Sequence, residues 1–212
     1  MARKIELANG SYYHIFNRGV EKRDIFPEKE DLDRFFQSMT EFNQIIPIGS
    51  IYQNHFHKNK SEAPLLKKDK LVDFVCYCLN PNHYHFILRQ ASEDGIARFM
   101  HRLGVGFTNY FNQKYKRSGV LFQGPFKAVH VDNNEYLLHL SVYVNLNNKV
   151  HRLGNGVSKS SWEEFIEKDK MNFCEKDIIL GQFKNLRECQ KFAETSLEWI
   201  KENKEAKKLL ME

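Results

Sequence analysis

Residues 79–88 read LNPNHYHFIL, and the fold turns on how that run is laid out. Side chains alternate along a strand, so His83 and His85 share one face while Tyr84, Phe86 and Leu88 share the other. The preceding "LVDFVCYCL" (71–79) is a near-continuous apolar strand, and "NPN" (80–82) is a turn. The pair reads as a hairpin with one apolar face and one face that carries two imidazoles.

Working outward, "SYYHIFNR" (11–18) predicts a first strand and "PEKEDLDRFFQSMTEFNQ" (27–44) a helix. Pro27 and an acidic first turn suit that helix's start, and Leu32, Phe35, Phe36, Met39 and Phe42 recur at helical spacing. The polar run "HKNKSEAPLLKKDK" (57–70) reads as an exposed loop. Ile96, Phe99, Met100, Leu103, Phe107, Tyr110 and Phe111 form the stripe of a long helix over 95–116, with Gly104 and Gly106 marking a kink or a close backbone approach. "GPFKAVHVD" (124–132) predicts a strand, and "NNEYLLHLSVYVNLNNKV" (133–150) a helix capped by Asp132 with Glu135 as its capping box. Two more helices are expected over 175–182 and 185–206. The order strand, helix, strand, strand, helix, strand, helix predicts an α+β protein. Its core is a ferredoxin-like β-α-β-β-α-β arrangement with an antiparallel sheet, helices on one face and the other face open to hold a site. The expected division is 1–152 for this core and 153–212 for a helical C-terminal extension.

The formal net charge of +5 favours a polyanionic partner without proving one. The opening "MARKIELANG" has no apolar core of a signal peptide, and no run reaches the roughly 18 apolar residues of a membrane span. A cytoplasmic protein with reduced thiols at Cys76, Cys78, Cys174 and Cys189 is expected.

Two imidazoles on one strand face are natural ligands for a divalent metal and need a third ligand from elsewhere. Cys76 and Cys78 could complete a tetrahedral zinc site if the hairpin register puts them on the histidine face. Otherwise they are core residues, as thiols in an apolar strand usually are.

"YCLNPNHYHFIL" (77–88), "YYHIFNRGVEKRDIF" (12–26) and "TNYFNQKYKRSGVLFQGPFKAVHVDNNEYLLHLSVYVNLN" (108–147) together resemble the REP-associated tyrosine transposases, and "SSWEEF" (160–165) resembles a segment that follows the family's core. The resemblance covers roughly residues 10–165. It implies a single-strand DNA transposase of the kind with a His-hydrophobic-His motif. A tyrosine attacks a DNA phosphate, forms a 5′-phosphotyrosine and releases a 3′-hydroxyl. "YVNLNN" (143–148) takes the place of the family's nucleophile segment, which makes Tyr143 the nucleophile and Asn147 a further site residue. Asn148 stands where the family usually has proline. On a single helix Tyr143 and Asn147 share a face, so Asn147 can join His83 and His85 as metal ligand. Such an open site of nitrogen and oxygen donors suits Mg²⁺ or Mn²⁺.

A free tyrosine has a pKa near 10 and needs help to attack at neutral pH. His139, one turn before Tyr143, is a candidate helper, and Tyr110, Tyr115 and Tyr136 are rival nucleophiles. Arg18, Arg98, Arg102, Lys114, Lys116, Arg117 and Lys127 flank the site in sequence and are candidates to track DNA phosphates. The implied partner is single-stranded DNA with imperfect hairpins, bound by a monomer or homodimer in a bacterial cytoplasm. The competing readings are a catalytically inactive or domesticated hairpin-DNA binder of the same fold and a zinc-stabilised structural domain.

Overall fold

The computed structural model describes residues 6–53, 69–151, 157–166 and 172–203. Its centre is a five-stranded antiparallel sheet, β1 (Tyr12–Arg18), β2 (Val72–Asn80), β3 (His83–Gln90), β4 (Lys127–Val131) and β5 (Lys159–Ser160), in the order β4-β1-β3-β2-β5. The first four strands follow the ferredoxin-like order. Most of the predicted exposed loop at 57–70 lies outside the described residues, as does the end of the last predicted helix beyond residue 203.

Helices α1 (Lys29–Glu41) and α2 (Gly95–Lys114) pack together on one sheet face. The Glu28 and Asp31 side chains form a reciprocal capping box at the start of α1. Phe35 of α1 stacks on Phe86 of β3 and meets Phe107 of α2 edge-on, so the alternation of the strand and the stripe of each helix close one aromatic core. The expected kink in α2 is not formed. A methyl group on Gly106 would lie 2.6 Å from the Phe42 ring, so this glycine permits the close approach between α2 and the end of α1.

The second face is covered by α3 (Asn134–Asn145), which touches β2, β3 and β4. The predicted single helix over 133–150 is interrupted. Leu146 leaves the helical region at φ −111° and ψ 22°, and a short α4 (Asn147–Val150) follows. Asn145, Asn147 and Asn148 crowd this point, and asparagine is a weak helix former whose amide competes for hydrogen bonds. The Asn145 Oδ1 accepts a bond from Ser161 Oγ (2.6 Å), which ties the break to the start of α5 (Trp162–Phe165). The cap of α3 also differs from expectation. Asn133, not Asp132, accepts the Tyr136 backbone N–H (2.7 Å).

After α6 (Asp177–Leu180), α7 (Leu186–Glu202) packs along α3. Among the described residues no helix is long and apolar enough to cross a membrane.

Candidate active site

The register places His83 and His85 on the face beneath α3, beside Arg18 and Phe16 of β1 and opposite Asn80 and Cys78 of β2. The turn that presents them is held from outside the hairpin. Ile25 N–H and Phe26 N–H both donate to Pro81 O, and Gly19 N–H donates to Asn82 O.

His83 Nδ1 lies 2.6 Å from Asn82 Oδ1. The shortness of this contact, and the Asn80 Nδ2 donor beside Nε2, place the proton of neutral His83 on Nδ1 and a lone pair at Nε2. Nε2 lies 3.0 Å from Asn147 Oδ1, and the Asn80 Nδ2 group donates to Asn147 Oδ1 (2.7 Å) while lying 3.0 Å from Nε2. Two lone-pair donors thus converge on one place. Ligands about 2.1 Å from a common cation and at right angles to each other lie about 3.0 Å apart, so His83 and Asn147 fit a small divalent ion. Among the described residues the buried Asn147 Nδ2 has no hydrogen-bond partner.

His85 is buried and its Nδ1 lies 2.9 Å from His14 Nε2. Phe16 stacks on its ring at 5.5 Å, and the Tyr143 ring stands edge-on at 5.5 Å. Burial, reinforced by the neighbouring His14, His83 and His151 rings, pushes His85 well below the ordinary histidine range. Burial lowers His83 too, opposed by the Asn147 oxygen, which accepts from the protonated ring, and burial takes His14 down to about 3. The histidines are therefore neutral, the form that ligates metal.

Tyr143 is buried, and burial pushes its hydroxyl up to about 12, partly offset by the Asn147 amide. Its hydroxyl lies 3.5 Å from His151 Nε2, whose ring also meets His83 edge-on at 5.7 Å. His151 escapes a sequence reading, because the break at Leu146 is what returns it to the tyrosine. All of these groups belong to one chain.

The other candidates separate by place. His139 does not reach this site. Its Nδ1 lies 2.8 Å from Ser196 Oγ and its ring contacts Phe192 and Trp199, so it joins α3 to α7. Tyr110 and Tyr115 donate to Asp31 on the opposite side of the sheet (3.1 and 2.6 Å). Tyr136 is on α3, with a buried hydroxyl that has no hydrogen-bond partner among the described residues. Of the basic residues, Arg18 adjoins His83 in register, and Lys127 lies over the Phe16 ring at 5.7 Å. Arg98 and Arg102 instead donate to the backbone carbonyls of Gln44 and Ile45 after α1. Lys114 is paired with Glu28 and Asp31, and Arg117 donates to Asn112 Oδ1 and Val120 O. Lys116 is exposed at the end of α2.

Leu79 pairs with Tyr84, so Cys78 stands opposite His85 and the cysteines do share the histidine face. They are buried, and burial raises Cys78 to about 12 and Cys76 further. Among the described residues no three His, Cys, Asp or Glu side chains gather as a metal cluster.

No family model matches the sequence, and no curated protein matches it. Among solved structures, the chain is similar to a REP-associated tyrosine transposase bound to a REP hairpin. The likeness has a TM-score of 0.54 at 10% identity and covers 82% of this chain and 97% of that one, which is a likeness of fold.

Proposed function

We propose that the protein is a metal-dependent single-strand DNA endonuclease and strand-transferase that acts on hairpin-forming DNA ends in transposition, with Tyr143 as nucleophile. The observation that carries this reading is the meeting of the Tyr143 ring with His85 at 5.5 Å, on the face where His83 Nε2 and Asn147 Oδ1 converge. The fold it shares with a hairpin-bound tyrosine transposase supports the same substrate class.

In this reading His83, His85 and Asn147 hold Mg²⁺ or Mn²⁺, which when bound polarises the scissile phosphate and offsets developing charge. The Tyr143 oxygen attacks phosphorus, its proton passes to His151 Nε2, the bond to the 3′ oxygen breaks, and that leaving oxygen takes up a proton from solvent. A 5′-phosphotyrosine and a free 3′-hydroxyl result. Arg18 and Lys127 take flanking phosphates, and the Phe16 ring beside them offers a stacking surface for an unpaired base. The acting form is a monomer or homodimer, working on DNA in the cytoplasm. A second reading, a hairpin binder without catalysis, rests on the full burial of Tyr143.

Labelled single-stranded hairpin DNA with Mn²⁺ tests the choice on a denaturing gel. Wild-type protein forms a covalent adduct. Tyr143→Phe binds the DNA and forms none, because only the hydroxyl is lost. An adduct that survives this change overturns the assignment, and no adduct with wild type leaves the binder.

A further inference from the structure

We propose that His14 is a positioning residue for metal binding, holding His85 through its Nδ1 so that Nε2 is presented to the cation. The inference rests on the metal reading above and extends it to a residue that neither motif nor fold likeness singles out.

The two ligand histidines are held in parallel ways. His83 Nδ1 is engaged by Asn82 Oδ1 at 2.6 Å, and Nε2 is left for the site. His85 Nδ1 is engaged by His14 Nε2 at 2.9 Å, and Nε2 is again the nitrogen that remains. A ligating histidine binds metal through a lone pair, so its proton must sit on the other nitrogen and needs an acceptor. Asn82 is that acceptor for His83. For His85 the described neighbours offer only the His14 Nε2 lone pair, which requires His14 to carry its own proton on Nδ1.

That nitrogen is buried and has no hydrogen-bond partner among the described residues. An orphaned buried N–H is costly, and such costs persist where function requires them. The geometry also restricts rotation of the pair. The His14 and His85 rings stack at 5.1 Å with 22° between planes, Phe16 covers His14 at 4.7 Å and His85 at 5.5 Å, and the Tyr143 edge meets both imidazoles. His14 lies diagonally from His85 across β1 and β3, since Phe16 is the direct partner of His85 and Ile87 that of His14. Only a side chain as long as histidine bridges this diagonal.

Titration with Mn²⁺, followed by the loss of the free-ion electron paramagnetic resonance signal, reads affinity without turnover. His14→Phe keeps the ring and removes the acceptor. It is expected to weaken Mn²⁺ binding about 10- to 100-fold, with circular dichroism and metal-free hairpin binding unchanged. His14→Gln supplies an acceptor oxygen and is expected to recover most of the loss. Long-range ¹H–¹⁵N spectra of the wild-type protein saturated with Mg²⁺ need no substitution, and should show His85 protonated on Nδ1 and His14 unprotonated on Nε2. Wild-type affinity in a folded His14→Phe overturns the proposal, and so does a proton on His85 Nε2 in the loaded protein. Failure of wild type to bind Mn²⁺ removes the metal reading together with this inference, so the two failures are told apart. If His14→Phe does not fold, His14→Gln and the wild-type spectra decide.

Discussion

Beneath α1 and α2, Phe86 sits among Phe35, Phe74 and Tyr84. One residue back along the same strand, on the opposite face beneath α3, His85 sits among His14, His83 and Tyr143. The polar groups of the two layers are treated just as differently. Asp31, buried in α1, accepts bonds from Tyr110, Tyr115, Lys114 and the Glu28 backbone N–H. In the α3 layer His14 Nδ1, Tyr136 Oη and Asn147 Nδ2 are buried with no hydrogen-bond partner among the described residues. A layer whose rings interlock and whose buried carboxylate is fully engaged serves stability. A layer that buries imidazoles and leaves polar atoms unpaired carries a cost, and such costs concentrate where function needs them.

A crossed pair of substitutions on β3 tests this division with the largest effects. His83→Ala should abolish adduct formation while changing unfolding free energy by only about 1 kcal/mol, because the side chain is only half-buried and stands outside the aromatic core. Phe86→Ala should cost about 3–5 kcal/mol, read by urea denaturation, while the fraction that remains folded still cleaves. If His83→Ala destabilises as much as Phe86→Ala, the α3 face is a second structural core.

The next effect belongs to the Asp31 cluster of the α1 and α2 layer. Asp31→Asn leaves Lys114 without its buried partner and weakens both tyrosine contacts, so a loss of about 3 kcal/mol is expected in chemical denaturation. Adduct formation per folded molecule should not change, because this cluster and Tyr143 lie on opposite sides of the sheet. A selective loss of cleavage would show that the two layers are coupled.

The alternation of HYHFIL is enough to assign both faces of β3, and the stripes of α1 and α2 are enough to cover one of them. The rest required tertiary geometry. The fit of Asn147 to the histidines depends on the break at Leu146, which no periodicity in a run of apolar residues announces. His151 reaches Tyr143 through that same break. His14 reads in sequence as one more residue of an apolar strand, because its role lies in a diagonal contact that pairing register alone creates. Arg98 and Arg102 look in sequence like free cations on a helix, yet their guanidinium groups satisfy the carbonyls of Gln44 and Ile45. Charge says what a side chain can bind, while the folded chain decides what it does bind.

The smallest effect concerns acid. His14 is fully buried, and its pKa falls from the ordinary 6.5 to about 3 through desolvation, with His83 and His85 lowered in the same direction. A depressed histidine is neutral in the folded chain at pH values where the unfolded chain already binds a proton. Above pH 6.5 the two states bind protons alike, and stability does not depend on this group. As pH falls below 6.5 the unfolded state gains a proton that the folded state refuses, so stability drops until the folded pKa is reached. Between pH 7 and 5.5 the loss from His14 alone should be about 1 kcal/mol, measured by urea denaturation of the metal-free protein. His14→Phe has nothing to protonate at that position, so its stability should fall by that much less over the same interval. Parallel pH profiles for the two proteins would mean that His14 is protonated in the folded chain, and the α3 layer would then bury a charge rather than a neutral pair.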